Sequence, residues 1–321
     1  MPEGDTLFRT AAVLREVLLG RPVSAARGRP DGVQLERVVG STVTRVEAQG
    51  KHLLIDFSNG LTLHTHLRMH GSWHRYRPWE TWKRPAARAV AVIQTPNSVA
   101  VCFDAPTVEL LETRALALHP QLSTLGPDLL APEPDLDRAI ANLAQPARAA
   151  TPVGEALLDQ SLLAGLGNVY RSEVLWIEQV DPFLPLGQLA PGTAERLVRL
   201  GARLLHANRL DPDRTTTVDA LGGQPGSGGP RRANEARLHV YGNLAARAPA
   251  AARASGRASS GSCRAACSGA RPASRPARAG PPGRREARAD VRSTFRSGGA
   301  VVRAVVVDAR AAGAGVQVPV L

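Results

Sequence analysis

The stretch from Leu157 to Glu173, LLDQSLLAGLGNVYRSE, carries the most specific local pattern in the chain and decides the fold. It predicts a helix, a tight turn bearing Gly165 and Gly167, and a second helix that begins at Asn168. Backbone N–H groups at a helix N-terminus attract a phosphate, and an asparagine amide there can donate to the same anion. The alternative is an ordinary capping asparagine, and this segment alone does not separate the two.

The segments around this stretch predict an α+β chain. Helical patterns cover 135–143, 153–163, 168–179 and 191–208, after a Pro- and Gly-rich connector at 120–134. Near the N-terminus, Asp5 or Thr6 can cap a first helix, which ends at Gly20 and whose apolar face is formed by Leu7, Ala11, Leu14 and Leu18. Turn-bounded β patterns then predict six short strands, at 42–48, 51–57, 61–67, 90–95, 98–103 and 107–112. A flexible loop at 222–230 and a short strand at 237–241 follow the helices.

The composition excludes several classes of protein. A chain of 321 residues, 43% of them hydrophobic, allows one large or two small domains with a real core. No apolar run reaches 18 residues, and the M-P-E-G-D start lacks an apolar segment behind it, so neither a membrane span nor secretion is predicted. The three cysteines, Cys102, Cys263 and Cys267, cannot form a disulfide framework. We therefore predict a cytoplasmic protein.

The net charge of +12 is concentrated in the last 77 residues. These hold 14 Arg and 22 Ala against three acidic residues, so the tail carries +11 and residues 1–244 carry +1. Phe295 is the one aromatic residue of the tail, which cannot bury enough apolar surface to offset chain entropy. We predict a disordered, Ala/Arg-rich tail over 245–321. The net charge of the whole chain therefore says little about the folded part.

The start of the chain suggests covalent chemistry. Removal of the initiator methionine would leave Pro2 with a free secondary amine, next to the carboxylate of Glu3. An α-amino group titrates near pH ~8, so much of it is neutral at working pH and can attack an electrophilic carbon. Glu3 could then move protons. The alternative is a proline that merely precedes a helix.

A second candidate is Lys51, in the turn-to-strand segment QGKHLL at 49–54. A lysine at a turn can contact a phosphate, although an isolated surface lysine is usually only solvated. This chain has two lysines, Lys51 and Lys83, against 38 arginines. Where arginine is the usual cation, a lysine indicates a need for a compact ammonium group.

Three motifs in order, MPEGDT at 1–6, GKHLL at 50–54 and LDQSLLAGLGNVYRSE at 158–173, resemble the Fpg/Nei family of DNA glycosylases. The G-D-T after P-E resembles its endonuclease VIII (Nei) branch, of actinobacterial type, and the resemblance covers about residues 1–243. It implies an N-terminal helix and β-sandwich at 1–120, a helix-two-turn-helix DNA-binding domain at 121–244, and a C-terminal zinc-finger hairpin. In this chain the low-complexity tail at 245–321 stands in place of the finger.

The resemblance implies roles for individual residues. Pro2 would be the nucleophile, Glu3 the acid/base and Lys51 an active-site residue near a phosphate. Asn168 would hold a backbone phosphate of the damaged strand. Glu173 is a further DNA-binding candidate, with capping or pairing inside the helical domain as its alternative.

The segment HLRMHGSW at 66–73 resembles the loop with which the family fills the space left by an extruded nucleotide. Met69 would be the inserted side chain, with Arg68 and His70 beside it, since an apolar wedge offsets lost stacking. Packing of Met69 in the core is the alternative. His64 and His66 lie two apart on one strand face, and without a third ligand nearby we interpret them as structural.

The C-terminus departs from the family pattern. Val240-Tyr241-Gly242 is present, but the later cysteines, Cys263 and Cys267, are half a structural zinc site, and no histidine follows them. The family's structural zinc is expected, yet its ligands are not found in this chain. One back-translation of 242–253, shifted by two bases, encodes QPRRPCPRCGT, the first half of a family-like finger. A frameshift near 241–244 is therefore our hypothesis, and a purposeful new tail is the alternative.

The resemblance predicts a base-excision repair enzyme, a bifunctional DNA glycosylase and AP lyase. It would remove oxidised bases, pyrimidines in this branch, and nick the strand by β,δ-elimination through a Pro2 Schiff base. The expected partner is damaged double-stranded DNA, with no membrane and no cofactor in the chemistry, and the protein is predicted to be a nucleoid-associated cytoplasmic monomer. Two alternatives are a finger-less remnant with weak DNA binding and residual AP lyase activity, and a general RNA-binding protein.

Overall fold

The computed structural model describes residues 2–29, 32–217 and 237–242, together with the backbone of 293–297 and 300–304. Five α-helices lie in this part of the chain: α1 (Gly4–Leu18), α2 (Leu136–Leu143), α3 (Val153–Ala156), α4 (Asn168–Ile177) and α5 (Thr193–Asn208). No helix among the described residues combines the length and apolarity needed to cross a membrane.

Eight strands of the N-terminal part form two four-stranded antiparallel sheets. They are β1 (Ala25–Gly28), β2 (Val43–Gln49), β3 (His52–Phe57), β4 (Leu61–His66), β5 (Ser72–Tyr76), β6 (Ala89–Thr95), β7 (Ser98–Phe103) and β8 (Thr107–Glu112). The strand orders are β1-β6-β7-β5 and β2-β3-β4-β8. The predicted α+β fold, with a helix and β-sandwich before a helical domain, is confirmed.

The sandwich core forms where apolar faces of both sheets meet the predicted apolar face of α1. Leu7, Leu14 and Leu18 are at most 1% exposed and pack with Ile55 and Ile93, one from each sheet. One helix face at 3.6-residue spacing therefore closes a core built from alternating strand residues. The cap of α1 differs from the prediction, because Glu3 is the N-cap and Asp5 lies within the first turn.

The helical domain has a separate core around α4 and α5. Tyr170 and Val174 of α4 and Leu197 and Leu204 of α5 are fully buried in it, as is Leu163 of the preceding turn. The helix predicted at 153–163, before the glycine turn, is longer than the observed α3. Its helical part ends at Ala156, because the Asp159 carboxylate accepts hydrogen bonds from the Ser161 backbone and hydroxyl and stabilises a turn instead.

Three further differences from the sequence predictions concern strands. β1 and β5 were not predicted, and both are short strands at the edges of one sheet. Residues 237–242 form bends and a turn, not a strand, because three of their amides bind the Glu173 carboxylate. In the tail, β9 (Ser293–Ser297) and β10 (Ala300–Ala304) pair as an antiparallel hairpin, which the sequence did not predict. The predicted loop at 222–230 and the other tail residues lie outside the described residues.

Candidate active site

The carboxylate of Glu3 lies on the N-terminus of α4. It accepts hydrogen bonds from the backbone N–H groups of Gly167 and Val169, both at 2.8 Å, and of Tyr170 at 3.4 Å. Glu3 is fully buried. These donors are among the N–H groups that a helix leaves unpaired at its N-terminus, and the helix dipole favours a negative charge there. The turn singled out from the sequence therefore holds the proposed acid/base residue itself.

Glycine is required in the turn at 165–167 because the backbone of this turn touches the first residues of the chain. A Cβ atom on Gly167 would lie 2.4 Å from Glu3 Cδ, and one on Gly4 would lie 3.0 Å from Gly165 Cα. The Gly4 N–H donates to the Gly165 carbonyl at 2.9 Å, and Gly165 has a φ of 109°. Backbone approaches this close, and a φ in this region, exclude side chains.

Lys51 is brought to the same place by the turn between β2 and β3. Gly50, with a φ of 55°, donates its N–H to Asp128 Oδ2 at 2.7 Å, and a Cβ on it would lie 3.0 Å from that of Ala164. Burial lowers the pKa of Lys51, and the nearby Glu3 carboxylate opposes that shift. Pro2 is the residue before Glu3, so the chain start, Lys51 and the α4 N-terminus form one site.

Electrostatics in this site are set by burial and by a few charges. Burial raises the pKa of Glu3, while Arg214, the Val169 N–H group and Lys51 lower it. Asn168, the first residue of α4, has a buried Oδ1 that lacks a hydrogen-bond partner among the described residues. A buried amide oxygen without a partner is unusual in a folded protein.

The loop after β4 presents Met69 to solvent. Its side chain is 62% exposed, so the alternative of core packing is wrong. The Gly71 N–H donates to the Leu67 carbonyl at 2.9 Å, and Arg68, with a φ of 49°, donates its N–H to His66 Nδ1 at 3.1 Å. The loop is therefore a closed turn.

Two other predicted residues flank Met69 in that turn. Arg68 and His70 are both exposed. Arg84 donates to the His70 carbonyl at 3.4 Å, which ties the turn to the loop between β5 and β6. Met69, the proposed wedge, and the two residues beside it thus lie together on one exposed turn.

Glu173 lies away from the surface, and its position does not support direct DNA binding. The side chain is fully buried, and its carboxylate accepts hydrogen bonds from Thr216 Oγ1 and from the backbone N–H groups of His239, Val240 and Tyr241. All four donors come from the chain beyond α5. The alternative, a role inside the helical domain, agrees with this placement, since Glu173 holds the 237–242 segment against α4.

Loss of this carboxylate is expected to destabilise the domain. Glu173→Ala leaves four donors without their acceptor, and hydrogen bonds to a buried charge are strong, so we expect the free energy of unfolding to fall by about 3 kcal/mol. Urea denaturation followed by circular dichroism measures it. Glu178→Ala is the control, because that residue makes one partly exposed ion pair with Arg196 and should cost less than about 1 kcal/mol. Equal losses in the two variants would contradict the assignment.

His64 has two potential co-ligands that the sequence did not indicate. Its Nδ1 lies 2.8 Å from Glu109 Oε2, and His119 Nε2 lies 3.1 Å from the same oxygen. These ligand atoms lie within 4.8 Å of one another, a spacing that a metal ion could bridge. However, His119 Nδ1 accepts the N–H groups of Gln121 and Leu122, so its Nε2 carries the proton and is a donor. A third potential ligand therefore does lie near His64, contrary to the sequence analysis. The hydrogen bonds nevertheless agree with a structural role for His64.

His66 belongs to the same strand face but to a different set of contacts. Its ring packs edge-on against His52, and its Nδ1 accepts the Arg68 N–H of the Met69 turn. Burial lowers the pKa of His66 to about 4, so the ring is neutral at ordinary pH. This histidine supports the turn and is not part of the His64 group of ligand atoms.

Sequence reasoning missed several residues that build the site. Gln160 donates to the Leu158 and Leu166 carbonyls and accepts the Gly165 N–H, which closes the glycine turn. Arg214 pairs with Asp5 across 209 positions of sequence. The glutamine stands inside the 158–173 motif and could have been singled out there, but no local signal marks Arg214.

The residues present do not fit the zinc site that the family resemblance implies. Cys102 is buried in the sandwich core, where burial raises the pKa of its thiol. Cys263 and Cys267 lie outside the described residues, and no histidine follows Tyr241 in the sequence. No catalytic step is therefore assigned to zinc. The chain beyond 242, which the frameshift hypothesis concerns, is described only at β9 and β10.

Comparison with known proteins agrees with this architecture. Residues 1–107 match the formamidopyrimidine-DNA glycosylase N-terminal domain, and residues 125–217 match the H2TH domain of the same enzymes. A probable endonuclease 8 2 of Streptomyces coelicolor is 42% identical over 219 residues, which cover 68% of this chain and 78% of that protein. The DNA-(apurinic or apyrimidinic site) lyase Nei2 of Mycolicibacterium smegmatis is 36% identical, over 70% of this chain and 84% of that protein.

A solved structure of similar fold is that of Lactococcus lactis Fpg in complex with DNA containing N7-benzyl-Fapy-dG. It has a TM-score of 0.57 and 21% identity, and the match covers 65% of this chain and 79% of that one. The fold and the two domain matches define a DNA glycosylase of helix-two-turn-helix type, and the chain belongs to the Fpg/Nei family. Within the family it is similar to the endonuclease 8 proteins of actinobacteria, as the G-D-T motif indicated.

Proposed function

We propose that the protein is a bifunctional DNA glycosylase and AP lyase that removes oxidised bases, pyrimidines above all. The observation that carries the proposal is the position of Glu3, which follows Pro2 in the chain, lies on the N-terminus of α4 and interacts electrostatically with Lys51. The relatives named above include an apurinic or apyrimidinic site lyase and endonuclease 8 proteins, which supports this class of reaction. Damaged double-stranded DNA is the proposed substrate.

The proposed reaction begins when the neutral amine of Pro2 attacks C1′ of an extruded nucleotide. A bond forms between the nitrogen and C1′, the bond from C1′ to the damaged base breaks, and the sugar ring opens to an iminium ion. Glu3 moves protons beside the nucleophile. Loss of a C2′ proton then expels the 3′ phosphate, a second elimination expels the 5′ phosphate, and water releases Pro2. No cofactor is needed, because the iminium ion is the electron sink.

Two side chains complete the proposed site by binding the DNA. The Asn168 amide lies on the first turn of α4, where it can donate to a phosphate of the damaged strand. The Lys51 ammonium interacts electrostatically with the Glu3 carboxylate and can pair with a second phosphate. Both groups hold the sugar–phosphate backbone and leave the choice of base to other contacts.

A second candidate function is a remnant enzyme with weak DNA binding. The observation that favours it is the pair of cysteines, with no later histidine, where the family has a finger. Loss of phosphate contacts would harm excision from intact duplex more than cleavage of single-stranded abasic DNA, because only excision must extrude a base. The ratio of these two activities separates the remnant from a fully active enzyme.

Borohydride trapping on an abasic oligonucleotide tests the proposal. The reagent reduces an iminium ion to a stable amine, so we expect a covalent protein–DNA species with the native chain after removal of Met1. Mass spectrometry of the trapped peptide should place the DNA on Pro2. If folded protein without Met1 yields no adduct on single-stranded or duplex DNA, the proposed chemistry is wrong.

The exposed Met69 turn gives a further prediction. Met69→Ala removes the proposed wedge, and we expect lesion excision from duplex DNA to slow about tenfold, because the gap left by the base is no longer filled. Cleavage of single-stranded abasic DNA should change less than about twofold, since no stack must be repaired there. Leu118→Ala, at an exposed apolar residue outside this turn, is the control. Equal slowing on both substrates would show that Met69 has another role.

A further inference from the structure

A buried ion pair joins the first turn of α1 to the segment that follows α5. Arg214 binds Asp5 twice, from Nε to Oδ2 at 2.8 Å and from Nη2 to Oδ1 at 2.6 Å. The Asp5 side chain is fully buried and that of Arg214 is 15% exposed. A charge in such a place needs its partner, because removal of one member leaves the other buried and unpaired.

Tyr170 connects this pair to Glu3. Its hydroxyl donates to Asp5 Oδ2 at 3.1 Å, and its backbone N–H donates to Glu3 Oε2 at 3.4 Å. The Arg214 Cζ atom lies 5.0 Å from the centroid of the Tyr170 ring, within the range of a cation–π contact. Burial raises the pKa of Tyr170, so its hydroxyl remains a donor. The carboxylates of Glu3 and Asp5 thus bind two groups of one residue, and the guanidinium packs on its ring.

The charges that face Glu3 do not cancel. Among the described residues they are those of Arg214, Lys51, Asp5 and Arg171, with the neutral Tyr170 beside them. Burial raises the pKa of Glu3, and Arg214 opposes this shift more strongly than any other charged group. Asp5 acts in the other direction but more weakly. Toward Glu3 the Asp5–Arg214 pair therefore behaves as a net positive charge.

We propose that Arg214 is a positioning residue that keeps Glu3 a carboxylate, because Asp5 holds its guanidinium against Tyr170 beside the α4 N-terminus. An ionised Glu3 can accept a proton next to the Pro2 nitrogen, whereas a protonated one cannot. The inference rests on the proposed function. It assigns to the G-D-T motif a task beyond starting a helix, since Asp5 is the residue that orients the arginine.

The test is the pH dependence of borohydride trapping on single-stranded abasic DNA. Removal of the positive charge in Arg214→Met raises the pKa of Glu3, so the acid limb of the profile should move to higher pH. Because the Pro2 amine also titrates, the pKa of the Glu3 carboxyl is followed directly by carbon NMR in the native and Arg214→Met chains, and it should rise in the variant. At a pH where the native chain retains half its plateau rate, we expect about a tenfold loss, with less than about a threefold loss on the plateau. Arg214→Lys, which keeps the charge, should restore most of the acid limb.

Two further variants separate this role from simple stabilisation. The double variant Asp5→Asn/Arg214→Met leaves no orphan charge and should shift the acid limb in the same direction but by less, because loss of Asp5 offsets part of the loss of Arg214. Arg9→Met is the matched control, since Arg9 joins α1 to the same segment through the Asn208 and Asp211 carbonyls, at 3.2 and 2.6 Å. Its acid limb should coincide with that of the native chain.

The possible outcomes are distinct. An unchanged acid limb in the single and double Arg214 variants overturns the proposal, and so does an equal shift in Arg9→Met, because a loosened interface would then suffice. An adduct from the native chain with no shift in the variants leaves the proposed function standing. Absence of any native adduct overturns the proposed function and this inference together.

Discussion

Replacement of Pro2 by glycine is expected to abolish the borohydride-stable adduct on abasic DNA. The secondary amine of proline forms an iminium ion that always carries a positive charge. This ion withdraws electrons without first gaining a proton. Glycine would present a primary amine, whose imine must first gain a proton, and it lacks the ring that directs the nitrogen. Glu3 and its three backbone donors should stay in place. The measurement is the yield of trapped protein–DNA species on a denaturing gel.

A second variant makes the Pro2 result independent of side-chain geometry. An uncleavable residue in front of Pro2 converts its amine to an amide, which is not nucleophilic, and should abolish trapping while Pro2 itself is retained. Lys83→Met is the control, because Lys83 is the chain's other lysine and lies in the loop between β5 and β6. Persistent trapping in both Pro2 variants would place the nucleophile on another amine, and Lys51 would be examined next.

Replacement of Gly167 by alanine is expected to reduce the lyase rate by about a hundredfold. The backbone at Gly167 has a φ of −129°, which alanine adopts freely, so no backbone strain is introduced. The new Cβ would instead lie 2.4 Å from Glu3 Cδ and 2.7 Å from Glu3 Oε1. The carboxylate must move, and it loses its alignment with the α4 N–H groups. Single-turnover cleavage of abasic DNA measures the loss.

The control for this variant is Gly201→Ala. Gly201 lies within α5 of the same domain, and its Cβ would meet only the flexible end of Leu166, at 3.2 Å. Alanine also has a higher helix propensity than glycine, so folding should be retained and the rate should change less than about twofold. A Gly167→Ala enzyme with the native rate would mean that the position of Glu3 is not critical for the lyase step.

Local patterns predict most of the secondary structure, and they single out the residues of the proposed site. The apolar face of α1 and six strands follow from hydrophobic periodicity, which reflects burial of one face of each element. Pro2, Glu3, Lys51 and Asn168 were predicted as site residues because short motifs carry them. The helix predicted at 153–163 is longer than the observed one. The side chain of Asp159 forms a local turn that competes with the helix, and apolar periodicity does not detect such a turn.

The roles of several charged residues depended on contacts that no local pattern contains. Glu173 lies one turn after Asn168, which suggested a DNA contact, yet it binds amides about 66 to 68 positions later in the chain. His64 meets Glu109 and His119 only because β4 pairs with β8 and the chain then turns back. A sequence gives the chemical type of such residues but not their partners.

The sequence by itself determined the family, the fold class and the identity of the proposed catalytic pair, since these depend on motifs and on periodic burial. Only the tertiary structure decided how Glu3 is held, because its donors lie more than 160 positions away on α4. It likewise decided that Asp5 pairs with Arg214, 209 positions distant. The physical reason is that desolvation and hydrogen bonding act through space, so the partners of a buried charge are defined by packing and not by their order in the chain.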